Sequence, residues 1–266
     1  MTIVIENIIR KYQDTFYPVV PFNPATQKLA SLDLTANNKE LTEEIFNDTE
    51  RFSSYIEQKR IAEDASYLIG GYNELRALYG RSELFNQSLS HVVPENNAAV
   101  DPFNPPVTLS VPLPEMRVGA LKTPEPRRLH LGTDIWGPVG TPVHAPMGGM
   151  IHSFAFNEHY GDYGATIILL HQLDGFPFYT LYGHLSLNDI ENISTGQYLN
   201  RGQKFATFGQ PHENGEWPPH LHFQVIYDLG LYEGDYPGVC RYSERERNLY
   251  NCPDPDVILQ MNRYLH

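Results

Sequence analysis

Apolar residues at helical spacing predict two helices near the start of the chain. The first covers residues 3–16, where the apolar positions are Ile5, Ile8, Ile9, Tyr12 and Phe16. The second runs from about Thr42, a suitable N-cap because Glu43 and Glu44 follow it, to about Ala65. A third helix could cover residues 67–85, although two adjacent glycines interrupt or begin it. We therefore predict a helical N-terminal region over residues 1–93.

Eight prolines then interrupt the chain between residues 94 and 126, which makes long helices unfavourable there. Within this segment the apolar residues alternate with other residues at Val107, Leu109, Val111 and Leu113. Such alternation predicts a short strand, and the neighbouring prolines favour the edge of a sheet. We interpret residues 94–126 as a connection between a helical part and a β-rich part.

After residue 126 glycine and proline recur roughly every eight to twelve residues, as they do in sandwiches and barrels. Candidate strands cover residues 150–156, 165–171, 176–181, 204–208 and 221–227, and any helix within 186–193 is short. This pattern predicts a β-rich domain over residues 127–235. Residues 236–266 are expected to pack on it as an extension in which Val257, Ile258 and Leu259 form a last short element. The predicted fold class is α+β.

Composition and charge narrow the possible functions. A 266-residue chain with 41% hydrophobic residues has enough material for a real core, and its formal net charge of −13 disfavours nucleic acid as a partner. No apolar run is long enough to span a membrane, and the N-terminus has no secretory signal pattern. The expected location is the cytoplasm, or the periplasm or exterior if a leader was removed. Cys240 and Cys252 are expected to be two thiols.

Five residues that can bind a metal ion or move a proton lie in three short motifs. His130 and Asp134 belong to H-L-G-T-D, His184 follows Tyr-Gly, and His220 and His222 belong to H-L-H-F. Alternate side chains of an extended segment share a face, so His220 and His222 point the same way. The same reasoning applies to His130 and Asp134. Imidazole and carboxylate are ligands that suit zinc, so this set predicts a metal site.

A catalytic site needs more than the ligands. Three protein ligands leave the fourth tetrahedral position of zinc for water, and the reaction then requires a base and a donor to the oxyanion. His184 and His220 are the imidazoles that could fill those two roles. Other histidines lack a partner at ligand spacing, namely His144, His152, His159 and His171.

The motifs H-L-G-T-D at 130–134, Y-G-H-L-S at 182–186 and H-L-H-F at 220–223 resemble the lysostaphin-type, LytM-like zinc endopeptidases. The resemblance covers about residues 117–230. It implies an antiparallel β catalytic domain of the duplicated-hybrid-motif kind. It also implies zinc held by His130, Asp134 and His222, with His184 and His220 assisting catalysis. The substrates of the family are usually peptide bonds of peptidoglycan.

Two further details come from the same resemblance. Residues 214–223 and 234–238 look more like the variant of the domain that is fused to class III aminotransferases, whose substrate need not be cell wall. In latent family members an upstream asparagine can fill the open zinc position. Asn73 is a candidate for that role and Arg76 is a candidate to help bind a carboxylate, but ordinary loop and helix residues are the favoured interpretation of both.

The sequence therefore predicts a zinc-dependent peptidase or amide hydrolase that acts on a peptidoglycan-type, small peptide or small amide substrate. Three alternatives stay open. One is a non-catalytic LytM-like regulator, although all five site positions are present here. The second is a cytosolic metal-dependent hydrolase of a small metabolite amide. The third is a sugar-phosphotransferase carrier, against which the carboxylate of Asp134 speaks.

Overall fold

A computed structural model describes residues 2–86 and 125–265, with side chains from Val4 onward. The strand expected around residues 107–113 and nearly all of the predicted 94–126 connection lie outside these ranges. Within the described residues, no helix is both long and apolar enough to cross a bilayer. Cys240 and Cys252 are both buried free thiols.

The strands of the described residues fall mostly after residue 128, as the sequence predicts. Their bounds are β1 (Leu29–Leu32), β2 (Tyr67–Gly70), β3 (Leu129–His130), β4 (Thr133–Trp136), β5 (Pro142–His144), β6 (Gly149–Asn157), β7 (Gly164–Leu173), β8 (Phe176–Leu185), β9 (Tyr198–Leu199), β10 (Lys204–Thr207), β11 (His220–Ile226) and β12 (Val239–Cys240). The five candidate strands between 150 and 227 correspond to β6, β7, β8, β10 and β11, which confirms them.

The helices are short except for two near the N-terminus. Their bounds are α1 (Thr2–Lys11), α2 (Glu43–Phe46), α3 (Thr49–Ala62), α4 (Asn188–Glu191), α5 (Arg245–Asn251) and α6 (Asp256–Leu259). The helix expected from about Thr42 is split because Asp48 caps a new helix, its side chain accepting a hydrogen bond from the Arg51 amide. The predicted last element appears as α6.

One eight-stranded sheet organises the molecule, in the order β1-β2-β4-β11-β8-β7-β6-β9. The pairings within it are antiparallel apart from β1 with β2, which run parallel. The mainly antiparallel β fold with additional helices confirms the α+β prediction. The domain borders predicted from the sequence stay a prediction, since strands from the N-terminal region and from the β-rich part share this sheet.

The helix expected within residues 67–85 is wrong. Tyr67–Gly70 forms the strand β2, and the following residues form 3-10 turns at Ala77–Arg81 and Glu83–Phe85. Every residue of β2 is buried, because it pairs on one side with β1 and on the other with β4. A short strand buried on both faces has no polar alternation, so periodicity could not distinguish it from a helix.

Helix α3 packs aromatic side chains behind β4. Phe52 has no exposed surface, and its ring lies 5.8 Å from that of Trp136 and 6.5 Å from that of Trp217. Trp136 in turn stacks on His220, with ring centroids 3.9 Å apart and planes 13° from parallel. The N-terminal region thereby supports a wall of the cluster of histidines described next.

Candidate metal centre

Four residues form one row across the middle of the sheet. Gly70 of β2 pairs with Asp134 of β4, Asp134 with His222 of β11, and His222 with Gly183 of β8. A Cβ atom on Gly183 would lie 2.5 Å from the ring of Tyr163, so only glycine fits at that end of the row. The register thus sets the carboxylate of Asp134 beside the imidazole of His222.

The donor atoms of His130, Asp134 and His222 converge. Nδ1 of His222 is 3.0 Å from Nε2 of His130 and 3.0 Å from Oδ1 of Asp134, while Nε2 of His130 is 3.3 Å from the same Oδ1. Tetrahedral ligands about 2.0–2.1 Å from zinc are about 3.3 Å from one another, so this spacing fits a shared zinc ion. All three residues are buried, and together they form a group able to hold a metal ion.

Hydrogen bonds on the outer side of each imidazole fix which nitrogen faces the cluster. Nδ1 of His130 donates to the carbonyl of Gly71 at 2.9 Å, which leaves the Nε2 lone pair for a metal. Nε2 of His222 donates to Oε1 of Gln224 at 3.0 Å, which leaves the Nδ1 lone pair of His222 for a metal. The amide of Gln224 is itself oriented, because its nitrogen donates to the carbonyl of Pro237. Both rings are therefore set up as ligands.

Burial and nearby charges give His130 and Asp134 the protonation states that metal binding requires. Burial, aided by the nearby Arg76 charge, lowers the pKa of His130 to about 4, so the ring is neutral at pH 7. Burial by itself would raise the pKa of Asp134. The His130 ring, the Arg76 guanidinium and hydrogen bonds outweigh it and hold that pKa well below its usual range. The site therefore offers the neutral imidazole of His130 and the carboxylate of Asp134.

His184 and His220 lie beside the cluster with their ring centroids 4.0 Å apart. Nδ1 of His184 donates to the carbonyl of Asn214 at 2.8 Å, and Nδ1 of His220 donates to that of Pro218 at 2.8 Å. Nε2 of His220 is 4.0 Å from Oδ1 of Asp134. Burial lowers the pKa of His220 to about 4, and burial with the adjacent imidazoles holds the pKa of His184 well below its usual range. Both rings are neutral.

The backbone at His184 is unusual for a histidine. Its φ is +63°, in the left-handed region that non-glycine residues seldom adopt. The pairing of β7 with β8 shifts register between Ala165 and Ile167, opposite this stretch, as a β-bulge does. Bulges turn side chains away from the regular alternation. The bulge and the left-handed turn bring His184 to the same side as His220.

A cavity of about 100 Å³ lies beside the cluster, and its lining includes Asp134, His184, His220 and His222. Its aromatic walls come from four separate stretches of chain, and they include Tyr79, Phe85, Tyr163, Trp217, Tyr232 and Tyr236. The charged side chains of its lining include Arg127, Asp162 and Asp235. Burial, together with the charge of Asp235, raises the pKa of Asp162 to about 6. The cavity offers apolar surface and an acidic corner next to the histidines.

The structure brings all five predicted site residues together. It leaves His144, His152, His159 and His171 outside the cluster. Asn73 does not reach the cluster, since its amide oxygen accepts from Nε of Arg245 at 2.9 Å. Sequence reasoning missed Gln224, although it follows His220 and His222 on the same face of β11 and the alternation pointed to it. The cavity residues Asp162 and Asp235 carried no comparable signal.

A buried cluster of two imidazoles and one carboxylate, flanked by two neutral histidines and a cavity, defines a metal-dependent hydrolase type of site. Residues 128–232 match the family model described as Peptidase family M23. Residues 128–232 are therefore an M23 peptidase domain, which confirms the resemblance to the lysostaphin-type, LytM-like endopeptidases. The likeness of residues 214–223 and 234–238 to the variant fused to class III aminotransferases stays a prediction. The family match and the three-residue cluster support the predicted metallopeptidase class and zinc cofactor for residues 128–232.

Curated relatives agree with the family. The chain is 30% identical over 115 residues to an L-Ala--D-Glu endopeptidase from Bacillus subtilis (strain 168), which covers 41% of this chain and 33% of that protein. It is 30% identical over 99 residues to the peptidoglycan DD-endopeptidase ShyC from Vibrio cholerae, and this match covers 37% of this chain and 20% of that protein. This chain therefore spans a third or less of the length of these relatives.

Among solved structures, the catalytic domain of lysostaphin from Staphylococcus simulans is 28% identical to this chain. The match covers 43% of this chain and 76% of that domain, with a TM-score of 0.32.

Proposed function

We propose that this protein is a zinc-dependent endopeptidase that hydrolyses amide bonds in peptidoglycan-type peptides. One observation carries the proposal. The three donor atoms of His130, Asp134 and His222 lie 3.0–3.3 Å apart, and two further neutral histidines line the cavity next to them. We assign His130, Asp134 and His222 as the metal ligands and His184 and His220 as the catalytic residues.

A zinc ion held by such ligands supplies a Lewis acid that polarises a carbonyl oxygen and makes water more acidic. The chain supplies the proton transfers. His184 and His220 each donate through Nδ1 to a backbone carbonyl, so each has an Nε2 lone pair that can accept the proton of the attacking water. The imidazolium formed in this way can then donate from Nε2 to the developing oxyanion or to the leaving nitrogen.

The proposed substrate class rests on two observations. Both curated relatives are endopeptidases, and the name of one specifies peptidoglycan. The cavity of about 100 Å³ beside the histidines has room for a side-chain-sized group and is walled by aromatic rings. The cell compartment in which the protein works stays a prediction.

The test is to incubate zinc-loaded protein with intact peptidoglycan, with the soluble stem peptides released from it, and with a panel of unrelated peptides and small amides. Products are identified by mass. We expect cleavage of the stem peptides, and His184→Ala is the matched variant that retains the metal. Zinc-loaded protein that cleaves none of these substrates would refute the proposal and favour the non-catalytic regulator. Turnover of small amides alone would reassign the substrate class.

A further inference from the structure

Arg76 is one of the most deeply buried charged residues of the described chain, with 1% of its surface exposed. Its guanidinium makes four polar contacts. Nε donates to Oε2 of Glu74 at 2.6 Å, and Nη1 donates to Oδ2 of Asp134 at 2.5 Å and to the hydroxyl of Tyr79 at 3.2 Å. Nη2 donates to the carbonyl of Gly71 at 3.0 Å. Two carboxylates balance its charge.

Two of these contacts lead directly to the metal cluster. Oδ2 of Asp134, held by Arg76, is the oxygen that does not face the histidines, while Oδ1 lies 3.0 Å from His222. The Gly71 carbonyl that receives Nη2 also receives Nδ1 of His130. The Arg76 guanidinium therefore restrains the carboxylate of Asp134. It also restrains the Gly71 carbonyl, which fixes the tautomer of His130 by accepting from its Nδ1.

We infer that Arg76 is a positioning residue of the metal site, acting through Asp134 and, by way of Gly71, through His130. This inference rests on the proposed assignment of Asp134 and His130 as ligands. Arg76 lies outside residues 128–232, so the N-terminal region completes a site whose ligands all belong to the M23 domain. Hydrogen-bonding partners behind the ligands fix their orientation, and removing such a partner typically lowers metal affinity by about 10–100-fold.

The chemistry requires arginine at this position. A planar guanidinium reaches Glu74, Asp134 and Gly71 at once, whereas a lysine ammonium is a single point that cannot span them. The backbone also makes room for it, because a Cβ atom on Gly70 would stand 3.0 Å from Nη2 of Arg76. A lysine that kept the Asp134 contact would release the Gly71 carbonyl or Glu74.

The experiment compares Arg76→Met, Arg76→Lys and Glu74→Gln with the unchanged protein. The readouts are the zinc dissociation constant by competition with a chelator and the visible spectrum of the cobalt-substituted protein, which reports the geometry of the ligands. We expect Arg76→Met to weaken zinc binding roughly 10–100-fold and to alter the cobalt spectrum. We expect Arg76→Lys to restore part of the affinity and Glu74→Gln to have a smaller effect.

Arg60→Met is the matched control, because Arg60 also bonds a carboxylate and a backbone carbonyl but lies in α3, away from the cluster. We expect its zinc affinity and cobalt spectrum to stay unchanged. If Arg76→Met folds and has the zinc affinity and the cobalt spectrum of the unchanged protein, Arg76 only supports the fold and the inference is wrong. If it does not fold, Arg76→Lys decides by the same two readouts. Since neither readout needs turnover, failure of the proposed peptidase activity would be seen separately.

Discussion

The imidazole rings of His184 and His220 lie almost face to face, with centroids 4.0 Å apart and planes 30° from parallel. They come from different strands, β8 and β11, and each is held by its own backbone carbonyl. Neither ring is among the three groups whose donor atoms converge. Mutation of His184 or His220 should therefore reduce turnover without loss of the metal.

His184→Ala is expected to retain zinc and to lose turnover by about 10²–10⁴-fold, the range for loss of a general acid or base. The reason is that His184 contacts the cavity but contributes no donor atom to the cluster. The measurement pairs zinc stoichiometry with initial rates on a stem peptide. His144→Ala serves as the control, because His144 lies in β5 outside the cavity. This variant should keep both the zinc stoichiometry and the initial rate of the unchanged protein. Full activity of His184→Ala would remove this residue from the catalytic machinery.

His222→Ala is expected to abolish zinc retention, because the imidazole is the donor nearest to both other ligand atoms. Elemental analysis after gel filtration provides the measurement. A full equivalent of zinc in the purified variant would contradict the assigned ligand set. Asp134→Asn tests the same set with a near-isosteric change and should also lose metal.

Zinc removal is expected to lower the thermal stability of the protein. A ligand that binds only the folded state at 1,000 times its dissociation constant stabilises that state by about 4 kcal/mol. The melting temperature should fall when a strong chelator is added and recover when zinc is restored. The His222→Ala variant provides the control, since a protein without the site should not respond. Equal chelator sensitivity of both proteins would place the stabilising metal elsewhere.

Acid should destabilise the protein partly through His171, which lies outside the metal cluster. Burial lowers its pKa to about 4, and its ring contacts the Gly148 carbonyl and the Thr180 hydroxyl. In the unfolded chain the His171 ring is protonated below about pH 6.5. In the folded protein it stays neutral until the pH falls to about 4. The free energy of unfolding should therefore fall by about 3 kcal/mol as the pH drops through this window. Denaturant titrations of His171→Asn should show a shallower decline, and an unchanged pH slope would exclude the effect.

Asp162 should act in the opposite direction. Its pKa in the folded protein is raised to about 6, whereas in the unfolded chain it ionises near 3.8. The stability that this group contributes is fully present below pH 3.8 and is lost as the pH rises through about 6, which lowers the free energy of unfolding by about 3 kcal/mol. Asp162→Asn should remove this loss and gain stability at pH 7 relative to the unchanged protein. If the stability difference between Asp162→Asn and the unchanged protein is no larger at pH 7 than at pH 4, the buried carboxyl is ionised without penalty.

The site was predictable because its residues lie in short motifs whose alternation is a local property. His220 and His222 share a face of β11 for that reason, and His130 and Asp134 lie close together in sequence. The position of His184 depended on a bulge and a left-handed backbone that no pattern indicated. The sequence groups His184 with the other four residues, but it does not give the backbone geometry that brings the ring beside His220.

The contribution of the N-terminal region was not predictable from periodicity. Gly70 pairs with Asp134 and Arg76 binds it, but these contacts join residues that are distant in sequence. Tyr67–Gly70 has no polar alternation because it is buried on both faces, so it resembled part of a helix. Arg76 was noticed as a possible carboxylate partner, yet the identity of that carboxylate required the sheet order.

The position of β2 has a practical consequence for anyone who trims this protein to the borders of its family. A fragment limited to residues 128–232 would leave the outer side of β4 without its neighbour, exposing unpaired amide and carbonyl groups beside apolar side chains. Bare strand edges of this kind recruit further copies of themselves. Such a fragment should precipitate or self-associate, and its failure to work would say nothing about the chemistry of the intact chain.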